Sequence, residues 1–145
     1  MVKLHFAHTS PINPPGATPV LTPAQVWAGL QRKIRFAQEF VPIIESCTVL
    51  SDENGVVTRE VVFKPGAAPK EKAKEVVRGF GTCWVDFQQE DGSVVKNIIS
   101  DSGDGGAENL HMTYAFEMDF PQFEEGSEGA EKQLGKMKGV SFISF

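Results

Sequence analysis

Polar residues held in phase with apolar neighbours at strand spacing are the groups of this chain that could do chemistry. Arg59 shares its two-residue phase with Val57, Val61 and Phe63, and Arg78 shares its own with Val76 and Phe80. Asn97 stands in phase with Ile99, and Tyr114 falls between Met112 and Phe116. A buried guanidinium needs a carboxylate, or else an anionic or carbonyl ligand, because an isolated charge out of water is costly. Strand phase slips at a bulge, so burial and exposure both remain open for the two arginines. Tyr114, or a carboxylate such as Glu60 or Glu117, is suited to proton transfer.

The stronger motifs are missing. His5, His8 and His111 are the histidines, and His5 and His8 have opposite strand phase. No His-x-x-x-His or Cys-x-x-Cys spacing occurs, so no metal is expected. Asp101-x-x-Asp104-Gly105 looks like the start of a calcium loop, but Gly103 takes the third position and Met112 the twelfth. It reads as a glycine-rich hairpin tip. Cys47 and Cys83 are isolated in apolar surroundings and read as inert buried thiols. Without a Gly-x-Ser-x-Gly elbow, a dinucleotide fingerprint or a P-loop, no cofactor is expected.

The elements that must position these groups follow from periodicity. Residues 2–8 alternate as a first strand, and a proline-rich crossover follows from Pro11 to Pro19. Thr22 caps a helix that places Pro23 at its first position and carries Val26, Trp27, Leu30, Ile34 and Ala37 on one stripe. Glu39-Phe40-Val41-Pro42 ends it. The period then becomes two, with strands over 43–50, 56–64, 70–80, 82–88, 94–101 and 109–120. Asn54-Gly55 marks the tip of the first hairpin. In the last strand Leu110, Met112, Tyr114, Phe116 and Met118 alternate with mostly polar residues, so one side is covered, and the apolar set should face the helix. An acidic stretch from Phe123 to Glu128 opens a closing helix that continues over 131–137, weakened by Gly126, Gly129, Gly135 and Gly139. Val140 to Phe145 reads as short, apolar and strand-like.

Length and composition narrow the function. A chain of 145 residues, 41% hydrophobic and 23% charged, is most economically one domain spanning 1–145 with a proper core. The net charge is −5, and Lys70, Lys72 and Lys74 read as a solvated strand face, which argues against a nucleic-acid partner. No run approaches the roughly 20 apolar residues of a membrane span. The start has no signal-peptide core and no Asn-x-Ser/Thr site occurs, so a cytoplasmic address is expected.

One strand, a helix, six strands and a closing helix is an α+β order that resembles the helix-grip superfamily of lipid-transfer proteins, birch-pollen allergens and polyketide cyclases. Within it, Leu21-Thr22-x-x-Gln25-Val26-Trp27-x-Gly29-Leu30, Gln38-Glu39-Phe40-Val41 and Ser46-Cys47 look like the family named after protein L of the acetylaranotin biosynthesis cluster. The likeness continues through Arg59-Glu60-Val61-Val62-Phe63, Asn97-Ile98-Ile99-Ser100 and Leu110-x-x-Thr113-x-x-Phe116-Glu117, and covers residues 2 to about 138. It implies a seven-stranded curved antiparallel sheet around a C-terminal helix, with a small-molecule cavity between them and, for fungal members, a place in specialised metabolism. It transfers no catalytic set. Against that pattern the closing helix is expected to be truncated. A retained intron is one origin, since Val140-Ser141 can be encoded by a splice-donor sequence; transcript sequencing across that codon tests it.

The residues expected to meet a ligand are Trp27, Arg59, Phe63, Trp84, Asn97, Ile99, Met112, Tyr114 and Phe116, with core packing as the competing role of each. The first reading is a module that binds a small hydrophobic or mixed-polarity molecule from natural-product metabolism. The second is a cofactor-independent cyclase, dehydratase or isomerase that works by orientation. In the third, an apolar groove left by a short tail is covered by a partner, a homodimer being one form of it.

Overall fold

The computed structural model describes residues 1–68, 70–103 and 106–138. The described residues form seven strands: β1 (Val2–Pro11), β2 (Ile44–Glu53), β3 (Val56–Phe63), β4 (Lys72–Phe80), β5 (Trp84–Gln89), β6 (Val94–Ser100) and β7 (His111–Phe120). Helix α1 (Pro23–Arg35) separates β1 from β2, and α2 (Glu128–Lys138) follows β7. The strands form one antiparallel sheet in the order β1-β7-β6-β5-β4-β3-β2. The pairing of β1 with β7, from Val2↔Phe120 to Pro11↔His111, brings the first and last strands together.

Local chemistry explains the boundaries. The Thr22 hydroxyl accepts from the Gln25 backbone N–H at 3.2 Å, while the Gln25 side chain accepts from the Thr22 N–H at 2.9 Å. This reciprocal cap is worth about 1 kcal/mol. The helix stops at Arg35, earlier than its apolar stripe suggests, because Phe36 leaves helical geometry and Ala37–Glu39 form a separate 3₁₀ turn. The break drops Ala37 into a cluster with Ile44, Val61 and Ala73, and the Arg32 guanidinium grips Glu39 through two 2.6 Å bonds. Asn54 and Gly55, at φ 54° and 76°, make the left-handed pair that suits a twisted hairpin. Gly81 and Thr82 are also left-handed, so β5 begins at Trp84 and Cys83 falls in the turn. Both cysteines are half-buried, against the expectation of buried thiols. Each sits at the margin of the packed region, with its thiol facing a backbone carbonyl of Ile34 or Ile99.

The sheet has one covered face. Val57, Val77, Val85, Phe87, Met112, Tyr114 and Phe116 point inward, where Val26, Leu30 and Ile34 of α1 pack on them. Val26 and Leu30 are fully buried, worth about 1.5–3 kcal/mol each. Helix α2 lies at the other end, with Ala130, Leu134 and Met137 against Val2, Leu4 and Phe120. The centre of the inner face therefore belongs to α1. The strand-like reading of Val140 to Phe145 lies outside the described residues, as do Asp104 and Gly105.

Candidate functional site

Beneath α1 the apolar inner face is interrupted by charge. Arg59 on β3 stands directly opposite Glu75 on β4, and they are 4% and 5% exposed. Arg59 Nε and Nη2 donate to Glu75 Oε1 at 2.9 and 2.7 Å. Its Nη1 donates to the backbone carbonyls of Lys33 and Ile34 at 3.1 and 2.8 Å. These carbonyls lie in the last turn of α1, where no intrahelical N–H remains and the helix dipole favours a cation. Gln89 Nε2 donates to the second Glu75 oxygen at 3.1 Å. The pair is thus satisfied on every side and ties helix to sheet.

Lys33 joins this cluster from α1 and is 6% exposed. Its Nζ donates to Asn97 Oδ1 at 2.6 Å and lies 5.2 Å from the Tyr114 ring centre and 5.9 Å from that of Phe87. The Arg59 guanidinium lies 4.8 Å from the same Phe87 ring. Asn97 and Tyr114 are direct neighbours across β6 and β7. Burial, then the charge of Arg59, lowers the Lys33 pKa to about 7, with Glu75 opposing in part. An amine so placed carries a substantial unprotonated fraction at neutral pH. It can accept a proton, donate one, or attack an electrophile.

The expected ligand residues divide into groups. Arg59, Asn97, Met112, Tyr114 and Phe116 are buried on the inner face, and Ile99 packs beside them. Trp27 lies on the flank of α1 above a hollow of about 190 Å³, bordered also by Gln31, Ile34, Val57 and Val77. Its ring closes on Gly79, where an added Cβ would come within 3.1 Å of Cη2. Phe63 belongs to the separate cluster around Ile44 and Val61. Trp84 is 38% exposed, stacks on Phe80 at 5.5 Å and alternates out of phase with the buried Val85 and Phe87. The structure does not bring Phe63 or Trp84 to the Lys33 cluster. Arg78 and Glu117 are also on the outer face, where Glu117 meets His5 at 3.0 Å.

Lys33 and Glu75 were not among the expected residues. Lys33 follows Leu30 by three positions and Val26 by seven, which places it on the buried stripe; Glu75 shares its phase with Ala73 and Val77. A larger concavity, about 690 Å³, lies on the outer face among His5, Arg78, Asp86, Gln88, Lys96 and Glu117. It is open, with apolar Phe6, Val94 and Phe116 among its charged and polar walls, and Lys33 does not line it. Among the described residues, no three His, Cys, Asp or Glu side chains converge as metal ligands, and no helix is long and apolar enough to cross a membrane.

Comparison with known proteins adds to this geometry. Residues 6–142 match the family described as acetylaranotin biosynthesis cluster protein L. A member from Aspergillus terreus (strain NIH 2624 / FGSC A1156), bearing that name, is 26% identical over 130 residues, 88% of this chain and 74% of the relative. Among solved structures, the Zhui aromatase/cyclase from Streptomyces sp. R1128 superposes with a TM-score of 0.67 at 12% identity, covering 96% of this chain and 84% of that one. The di-domain aromatase/cyclase StfQ of the steffimycin pathway also gives 0.67, at 9% identity; 94% of this chain is covered but only 45% of that longer one. At such identities the structural likeness establishes the helix-grip fold.

Proposed function

Because the chain belongs to the acetylaranotin biosynthesis cluster protein L family, we propose that it binds a natural-product intermediate on the inner face of its sheet. The molecule is hydrophobic or of mixed polarity. The observation that carries this reading is the Lys33–Asn97–Arg59–Glu75 cluster set among apolar and aromatic side chains. A few polar groups fixed in an apolar surround orient a small ligand, while the surround supplies most of the affinity. Such a cluster is weak as a source of stability, since a well-packed apolar replacement is often as stable.

A second reading, a cyclase, dehydratase or isomerase acting on the same molecule, is favoured by Lys33 beside Tyr114. Two structural neighbours are themselves described as aromatase/cyclases. In this reading the apolar walls hold a flexible substrate in reactive shape while the amine moves a proton.

The test is capture. The purified protein is incubated with a metabolite extract of the organism that carries it, re-isolated and denatured, and released compounds are identified by mass spectrometry. Enrichment of a compound over a control protein is the expected result, with Trp27 fluorescence responding to it in a Trp84→Phe background. A compound recovered unchanged favours the binding module, and a converted one the enzyme. A folded protein that retains nothing above the control overturns both readings.

A further inference from the structure

Helix α1 presents one amine to the covered side of the sheet, and its surroundings are those of a nucleophile. Among the described residues Lys33 is the buried lysine, packed among Asn97, Tyr114, Phe87 and Arg59, whereas the lysines of β4 and α2 are exposed. Lysines become reactive toward carbonyl carbon when they are desolvated or set beside another cation, and Lys33 meets both conditions. Glu75, the carboxylate of the cluster, directs one oxygen to Arg59 and the other to Gln89. Asn97 Oδ1 holds Nζ by a neutral acceptor, which an unprotonated amine satisfies as well as an ammonium. Half-buried Val95 and Ile99 stand two positions to either side of Asn97 on β6 and pack against the apolar cluster of the inner face.

We propose that Lys33 captures a carbonyl compound, an aldehyde or ketone with an apolar or aromatic body, as an imine on the inner face. This deepens the binding reading above and rests on it. The unprotonated Nζ adds to the carbonyl carbon to give a carbinolamine. The C–O bond then breaks as the C=N bond forms, and the oxygen leaves as water with the two amine protons. Nothing is oxidised or reduced. The imine withdraws electrons from the neighbouring carbon, which eases loss of a proton there and new carbon–carbon bonding.

The experiment uses 2-naphthaldehyde with sodium cyanoborohydride at pH 7, followed by peptide mapping. The expected result is a reduced adduct on Lys33, formed about tenfold or more faster than on the exposed lysines, which keep their hydration. Trypsin then fails to cleave after Lys33, and Lys33→Met lacks the adduct while keeping a wild-type circular dichroism spectrum. Arg59→Gln, still able to hydrogen-bond, should slow labelling at Lys33 and leave the exposed sites unchanged. Retention of 2-naphthylmethanol, which cannot form an imine, is measured in parallel by equilibrium dialysis. Alcohol retained without an adduct on Lys33 overturns the imine and leaves the binding reading intact. Labelling confined to exposed lysines, with no alcohol retained, counts against both.

Discussion

Arg59–Glu75 on the inner face and Lys96–Asp86 on the outer face are both cross-strand ion pairs, with N–O separations of 2.7 and 3.0 Å. The inner pair is almost wholly covered, whereas Lys96 and Asp86 keep 43% and 24% of their side-chain exposure. Water and salt screen the outer pair, so its rearrangement changes little. The inner pair sits in a medium that magnifies each charge, and a third charged group, Lys33, feels it. The same residue types thus make a solvated surface on one side and an unusual amine on the other. Burial makes the difference.

The contrast breaks most visibly at Arg59. Arg59→Leu leaves Glu75 buried without its cation and releases two carbonyls of α1, so urea denaturation should show a loss of about 3–5 kcal/mol. A loss below about 1 kcal/mol would mean that water reaches Glu75 and that the two faces are not different in kind.

Next in size is the pH response of Lys33. The folded protein gives up this proton near pH 7, and the unfolded chain keeps it to about 10.5. Between those values the unfolded state binds more protons. Stability should therefore rise with pH across that window, by about 1.4 kcal/mol per pH unit at most. Lys33→Met should flatten the rise when denaturation midpoints are compared at several pH values. Equal slopes in the two proteins would place the ammonium in water.

A smaller effect is expected where α1 meets β4. In Gly79→Ala the new methyl lies 3.1–3.2 Å from Trp27 ring carbons, and the ring must shift by a few tenths of an ångström. The melting midpoint should fall by an amount equivalent to about 1 kcal/mol, with a change in Trp27 emission. An unaltered spectrum would show that the ring does not rest there.

The smallest change belongs to the outer face. Asp86→Asn should alter stability by less than about 1 kcal/mol, and any effect should vanish in concentrated salt. A salt-resistant loss as large as that of Arg59→Leu would erase the comparison from its other side.

Much of this architecture was legible from residue order. Thr22, Pro23 and Gln25 signal the start of α1, and Asn54-Gly55 the first hairpin, because capping and left-handed turns are local chemistry. Phase also put Met112, Tyr114 and Phe116 on the apolar side of the last strand, while it left Arg59 open between burial and exposure. The same rule failed to separate Trp84 from them, since an aromatic in a strand can face either way. Lys33 and Glu75 stayed hidden because charged residues are ordinarily solvated, and only the partner across the sheet or under the helix makes their burial tolerable.

Sequence alone determined the kind and order of the elements, the caps and turns between them, and the alternation within each strand, all of which depend on neighbours a few positions away. Tertiary structure decided that Arg59 faces inward, that it meets Glu75, and that α1 lays Lys33 over Tyr114. Those outcomes depend on register between distant strands and on which face the helix covers. The reactive amine is a product of that packing, because a lysine side chain has a depressed pKa only where the fold removes its water and sets a second cation beside it.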